Sequence, residues 1–440
     1  MPGLLERVWN TSRLGLWARR ERGIAYRDRE ELARLQDRRV RALVAHAWRE
    51  TEYYRDWLKS AGAEPGDIRG AADLARLPVI DKIVLTRHPE RFEAQSLKGK
   101  DGITLHSSGT SGYRRHLRHD ARAVLQALAA GRRQRLALAE YVGRESGYRE
   151  AVFNREGSVG AQLRAFFESR TWVPQGVELR RRLFSPVLPF AELAAGVDEF
   201  EPEVIRGYGS HLGAFYQWLA ESGRRFHRPR AVVYGADGMP PAQRRLIEGE
   251  LGIPVLSTYQ AVEALRIGFE CPERAGFHIA VDQVVVRVKD KGPDGRGEMV
   301  LTNLWNYATP VINYQLGDLV TLSEGACPCG RTLPLLTSID GRADDLVARP
   351  DGTRVHALAV LAPLQKAPGV MQVQVEQREM DDFLLRVIWR QGAERDEEEL
   401  RRRVGQVLGA GAAVVVVEVP AIPTTSAGKV KSLISRLEGR

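Results

Sequence analysis

The chain has 440 residues, 43% of them hydrophobic, with 65 Lys and Arg against 56 Asp and Glu and a formal net charge of +9. That apolar content supplies a large core over two or three domains and excludes a disordered chain. No apolar run approaches the roughly 20 residues that span a bilayer, and the first twenty residues mix Leu and Trp with Arg and Glu, unlike a signal peptide. The expected location is therefore cytoplasmic, with no membrane partner. The arginines are interleaved with acids, which reads as a solvated basic surface and gives an expectation of no nucleic-acid partner. A zinc-containing nucleic-acid-binding protein is the remote alternative.

In chain order, the first hundred residues read as helices. Glu30 to Leu58 is amphipathic, with Leu32, Leu35, Leu43, Val44, Ala47 and Trp48 near helical spacing. Breaks follow at Ala63–Asp67 and at Leu77-Pro78. The centre alternates strands (Ile103–His106, Val204–Gly207, Ala231–Tyr234, Val255–Thr258) with helices (Ala121–Ala139, Pro241–Leu251), as in an α/β domain with a parallel sheet. A β-rich subdomain follows, with strands at Phe277–Ala280, Val284–Val288, Glu298–Asn303 and Leu319–Leu322. From Gly341 the order is strand, helix, strand, strand, helix, strand. The expected fold is thus a large N-terminal α/β domain, 1–341, hinged to a small C-terminal α+β domain of ferredoxin-like order, 342–440.

The segment Ser107-Ser108-Gly109-Thr110-Ser111-Gly112 follows a strand and precedes a helix that Asp120 can cap. Small hydroxyl residues and glycines can wrap a polyphosphate, because backbone N–H groups in such a turn form an anion nest. No Gly-Lys-Ser/Thr closes it, so it is not a Walker A loop.

All three cysteines, Cys271, Cys327 and Cys329, fall in one region, with His278 near the first. An odd, clustered count argues against a disulfide framework. Three thiolates and one imidazole satisfy a closed tetrahedral zinc site, which is structural because no position is left open.

Several segments together resemble the adenylate-forming (acyl-CoA synthetase) superfamily, and within it the phenylacetate–CoA ligase-like branch. The loop Ser107–Gly112 is one. Tyr53-Tyr54-Arg55 with Asp73-Leu74-Ala75-Arg76-Leu77-Pro78 is similar to that branch's opening. Tyr234-Gly235-Ala236-Asp237 resembles its Gly-Ala-Glu-Pro turn against adenine, and Thr258-Tyr259-Gln260-Ala261-Val262-Glu263 its Tyr-Gly-x-Thr/Ser-Glu motif. Tyr314-Gln315-Leu316-Gly317-Asp318, Gly341-Arg342-Ala343-Asp344-Asp345 and Pro423–Lys429 complete the set.

The resemblance implies roles. Ser107–Gly112 would hold the ATP phosphates. Gly235, Ala236, Asp237, Tyr259 and Gln260 would surround adenine, and Glu263 would ligate Mg²⁺, for which a carboxylate is a suitable hard ligand. Asp318 would accept the ribose hydroxyls, Arg342 would reach the nucleotide, and Asp344 would be the hinge. Lys429 would stand between the substrate carboxylate and the α-phosphate and offset their repulsion. The implied function is ATP-dependent activation of a carboxylic acid, in this branch an aryl acid, as an acyl-adenylate, with transfer to coenzyme A. An amine or a carrier protein is the alternative acceptor. Parts of Arg206–His211, Tyr234 and Gln260 are the expected wall of the acid pocket.

Overall fold

The computed structural model describes residues 3–106, 116–172, 180–409, 411–423 and 430–437. It divides into two compact units. One comprises Met1–Tyr148, Arg155–Arg180 and Leu256–Ile339; the other comprises Arg149–Asn154, Arg181–Val255 and Asp340–Arg440.

In the first unit, the helix expected from Glu30 to Leu58 is two helices, Arg29–Glu50 and Glu52–Ser60. Thr51 separates them. Its hydroxyl accepts the Tyr54 N–H, which caps the second helix. Val40, Leu43, Val44 and Ala47, spaced for one helix face, are buried with Tyr54, Leu58, Val311 and Tyr314. The helix expected over Ala121–Ala139 is also two, Ala121–Ala130 and Arg132–Val142.

Gly102–His106 pairs antiparallel with His116–Asp120, from Gly102 opposite Asp120 to His106 opposite His116. The Ser107–Gly112 segment therefore connects two strands, and a strand rather than a helix follows it. Asp120 ends that strand and caps the next helix by accepting the Ala123 N–H at 2.9 Å. The β-rich part is an antiparallel run of Val284–Lys289, Arg296–Asn303 and Val311–Ser323. Gly268–Glu270 pairs with Val255–Tyr259 on one side and with Phe277–Ile279 on the other.

In the second unit, Arg149–Phe153, Val204–Tyr208 and Ala231–Gly235 are parallel neighbours. Residues from the helices Phe190–Phe200 and Gly209–Glu221 join Ala151, Phe153, Ile205 and Val232 in one core. Near the C-terminus, a four-stranded sheet has the order Ala413–Glu418, Asp382–Trp389, Val370–Gln377, Leu433–Ser435. Its outer pairs are parallel and its central pair antiparallel. This departs from the ferredoxin-like order. The crossover helix Glu397–Leu408 forces parallel pairing of the strands it joins. The strand Leu346–Ala348, expected to open that sheet, pairs instead with Arg354–His356 in a hairpin of its own.

A buried ionic network holds the first unit together. Arg133 makes a two-pronged contact with Asp282, at 2.6 and 2.8 Å, and reaches Glu21 at 2.5 Å. All three side chains are 2% exposed or less. Arg39 also pairs with Asp282, and the Gln126 and Gln283 amides donate to Glu21 and Asp282. Burial would raise the Asp282 carboxyl, but Arg133 and Arg39 outweigh it and hold it well below the usual carboxylate range. For Glu21 burial dominates; Arg133 only partly offsets it and the Asp282 charge adds to it, so this carboxyl is raised.

Because the Asp282 pKa falls on folding, its contribution is complete above the unfolded value near ~3.9. It is lost as pH falls through the lower folded value. Asp282→Asn strands buried Arg133 with one partner and should cost about 3–5 kcal/mol at pH 7 in urea unfolding. The gap to the parent chain should narrow as pH drops below about 4, where the unfolded parent begins to take up the proton that the folded one still resists. Equal stability of the two chains at pH 7 would refute this account.

Candidate active site and metal centre

The three cysteines and His278 come together in the first unit. Their ligand atoms all lie within 4.8 Å of one another. Cys271 Sγ is 3.7 Å from Cys327 Sγ, and Cys329 Sγ is 3.3 Å from His278 Nε2. The hairpin Gly268–Glu270/Phe277–Ile279 carries Cys271 just past its first strand and His278 within its second, opposite Phe269. The other two ligands arrive on the turn after Val311–Ser323, where Gly330, at φ +77°, takes a left-handed conformation suited to glycine.

Burial pushes the Cys271 thiol up to about 12 and raises Cys327. Burial and the nearby Arg331 guanidinium push His278 down to about 4, so its imidazole is neutral at pH 7. Cys329 is different. Burial opposes its ionisation, but hydrogen bonds from the Arg331 backbone and side chain hold it below the ordinary thiol value. Arg331 was not a sequence candidate. Its position two residues past Cys329 was the available signal.

The nucleotide-motif residues of the first unit also meet. The Tyr259 hydroxyl donates to Asp318 Oδ2, although the two are 59 positions apart. Asp318 lies inside the strand Val311–Ser323, not in a turn. Gln260 Nε2 is 3.4 Å from Thr258 Oγ1. Glu263 is buried, and its backbone carbonyl accepts from Asn303 Nδ2 at 2.8 Å. His119, which burial pushes down to about 4, contacts the Val262 carbonyl through Nε2 at 2.9 Å. Two inner side chains thus fix the backbone on either side of the Val262–Glu263 bond. Ser107, Ser108, Gly109, Thr110, Ser111, Gly112 and Lys429 lie outside the described residues.

In the second unit, Gly235 ends the strand Ala231–Gly235 and Ala236 and Asp237 follow it, with Ala236 at φ +69°. The Asp237 carboxylate caps the helix Gly209–Glu221: it accepts the Gly209 N–H at 2.6 Å and the Ser210 hydroxyl. A Cβ on Gly209 would stand 2.7 Å from the Met239 nitrogen, so this close approach requires glycine. Three polar members of the expected acid wall, Arg206, Ser210 and Tyr234, are likewise engaged. Arg206 Nε donates to buried Glu150 at 3.0 Å, and Arg244 donates to the Tyr234 hydroxyl at 3.2 Å. His211 lies among the rings of Phe153 and Phe190, and burial pushes it down to about 4.

Arg342 ends the strand Leu335–Arg342, after Gly341 at φ +102°. Its carbonyl accepts from His356 Nε2 at 2.6 Å and from the Asp345 N–H at 3.0 Å. His356 Nδ1 accepts the Leu358 N–H at 3.1 Å and so caps the helix Ala357–Gln365. The two bonds fix the tautomer as Nε2–H. His356 was missed as a functional candidate, because nothing local in sequence ties it to Arg342.

A polar cavity of about 190 Å³, bordered by Glu21, Arg133, Glu140 and Arg331, includes none of the residues expected to bind nucleotide.

No family model matches the chain. The phenylacetate-coenzyme A ligase of Thermus thermophilus is 31% identical over 368 residues, 78% of this chain and 77% of that protein. The enzyme of that name from Aromatoleum evansii is 26% identical over 437 residues, 92% of this chain and 95% of that one. Among solved structures, 2-hydroxyisobutyryl-CoA ligase in its postadenylation state, in complex with R3-HIB-AMP, matches with a TM-score of 0.74 at 20% identity. The match covers 95% of this chain and 92% of that one, and it shows a shared fold. With the Thermus relative 31% identical and aligned over more than three quarters of both proteins, the chain belongs to the phenylacetate–coenzyme A ligase family.

Proposed function

We propose that this protein is an ATP-dependent aryl acid–coenzyme A ligase working through an acyl-adenylate. The observation that carries the reading is the Tyr259–Asp318 pair, which joins the residue suited to stack on a base to the one suited to accept ribose hydroxyls. In the first step a carboxylate oxygen attacks the α-phosphorus of ATP. The new P–O bond forms as the α–β anhydride breaks, and pyrophosphate leaves. In the second step the coenzyme A thiolate attacks the acyl carbon, the C–S bond forms, and AMP leaves with its oxygen.

Ser107–Gly112 would receive the phosphates, and Lys429 would screen the carboxylate from the α-phosphate. Mg²⁺, when bound, neutralises phosphate charge, and Glu263 is the carboxylate to hold it. Residues 342–440 would move about Asp344 between the two steps, relative to 1–341.

Acid-dependent ATP–pyrophosphate exchange tests the first step. Exchange should rise with arylacetic or benzoic acids. Acids with a second carboxylate should be poor, because Arg206, Ser210 and Tyr234 are already engaged. Lys429→Ala should lower exchange by roughly 10²–10³-fold, the usual effect of removing one preorganised charged donor. Near-normal exchange in that variant would remove Lys429 from the mechanism. Adding coenzyme A, amines or a carrier protein to the preformed adenylate identifies the acceptor, and thioester formation with coenzyme A is the expected result.

The His356–Arg342 bond spans Asp344, so it would act as a latch on the proposed hinge. His356→Ala should cost about 1–2 kcal/mol in stability, as expected for a lost helix cap and hydrogen bond. It should also change the thioester-forming rate more than the adenylation rate. Equal change in both rates argues for a merely structural role.

The Cys/His cluster supports a structural zinc ion held by Cys271, His278, Cys327 and Cys329. Two thiolates, each about 2.3 Å from a tetrahedral zinc, stand about 3.8 Å apart, close to the 3.7 Å between Cys271 and Cys327. Elemental analysis of protein purified without added metal should give about one zinc per chain. Cys271→Ser should lower both the zinc content and the Tm. A metal content near zero, with all three thiols titratable in the folded protein, would exclude the site.

A further inference from the structure

The N-terminal helix Leu4–Ile24 has two differently occupied faces. Asn10, Glu21 and Ile24 are buried. Arg7 donates to the Thr171 carbonyl at 3.1 and 2.8 Å, Asn10 donates to the Arg170 carbonyl at 3.1 Å, and Thr11 accepts the Trp172 N–H at 2.7 Å. The opposite face is in solvent and apolar: Leu5 is 86% exposed, Trp9 63% and Leu16 50%. At 3.6 residues per turn these three fall within about 40° of one line along the helix. Exposed Leu4 and Val8 widen the strip at its amino end, and half-exposed Trp172 extends it beside Thr11.

Charge selects the occupant. The helix carries five arginines, Arg7, Arg13, Arg19, Arg20 and Arg22, against two glutamates, Glu6 and Glu21. Arg19 and Arg20 are exposed on either flank of the apolar line. A second copy would set one basic helix against another. An anionic lipid surface instead takes Leu and Trp into the headgroup–acyl boundary and arginines at its phosphates.

We propose that this helix docks the protein on anionic membrane surfaces, lying flat with Leu5, Trp9 and Leu16 inserted. No helix among the described residues is long and apolar enough to cross a membrane, and a surface helix needs no such length. The expectation of no membrane partner rests on spanning length alone, which does not address a surface helix. Docking of this kind is independent of the ligase reading.

The test is co-sedimentation of the full chain with vesicles of phosphatidylcholine alone or mixed equally with phosphatidylglycerol. The chain should pellet with the mixed vesicles and not with the neutral ones, and roughly 0.5 M salt should release most of it. Leu5→Ser/Trp9→Ser should lower the bound fraction at least tenfold while leaving circular dichroism and lipid-free ATP–pyrophosphate exchange unchanged. Absence of binding to the mixed vesicles, or undiminished binding by the double variant, overturns the proposal. A dimer in light scattering that the double variant dissociates also overturns it and assigns the face to a second copy.

Discussion

The first unit depends on one guanidinium. Arg133, on the helix Arg132–Val142, binds Asp282 just before the strand Val284–Lys289 and Glu21 near the end of the N-terminal helix. Through Asp282 it also engages Arg39 on the helix Arg29–Glu50. Three helices and the start of the β-rich run are thus fixed by a planar, two-pronged contact. Apolar packing tolerates sliding; a bidentate buried pair does not, because a small displacement leaves a charge unpaired. The Arg39 guanidinium lies 4.5 Å from the centre of the Trp305 ring, and Trp305 Nε1 donates to the Asp282 carbonyl at 3.1 Å, which ties the network to the far end of the Arg296–Asn303 strand.

That rigidity is passed along the sheet to the two nucleotide-motif segments. Val284–Lys289 pairs with Arg296–Asn303, which pairs with the strand bearing Asp318. Tyr259 lies opposite Gly268, the first residue of the strand leading to Cys271. The Cys/His cluster joins the chain beyond Tyr259 to the chain beyond Asp318, so a cation there would close a loop around both. The Tyr259–Asp318 hydrogen bond closes the same loop from the other side. With a cation bound in the cluster, the geometry of that bond would be set by two clamps before any nucleotide contact.

Much of this was legible in sequence. The alternation of strands and helices pointed to the α/β centre, and the clustering of cysteines pointed to the side-chain cluster that Cys271, His278, Cys327 and Cys329 form, because both signals are periodic or compositional. Elements that depend on single capping residues were not. Thr51 splits one expected helix, and the strand His116–Asp120 is too short and polar to read as a strand. The strand order near the C-terminus was misread because pattern shows where strands are and not which neighbour each takes. His356, Arg331 and the Arg133 network were missed for one reason. Each acts through a partner distant in sequence or through burial, and an arginine in a chain with 65 basic residues reads as surface.

The same reasoning explains the expected taste for an aryl acid. A pocket recognises a second charge by offering an uncommitted one. Arg206, the cation in the segment expected to line the pocket, bonds to Glu150, a fully buried carboxylate that Arg206 and Arg181 keep ionised against its desolvation. Drawing Arg206 away would leave Glu150 with less compensation at large cost. Ser210 is likewise bound to Asp237, which also caps the start of the helix Gly209–Glu221. The remaining neighbour, His211, is neutral and sits among phenyl rings. If these residues line the acid pocket, Arg206 and Ser210 being already paired would favour a ring over a second anion, since a ring gains from dispersion and burial without asking either pair to open.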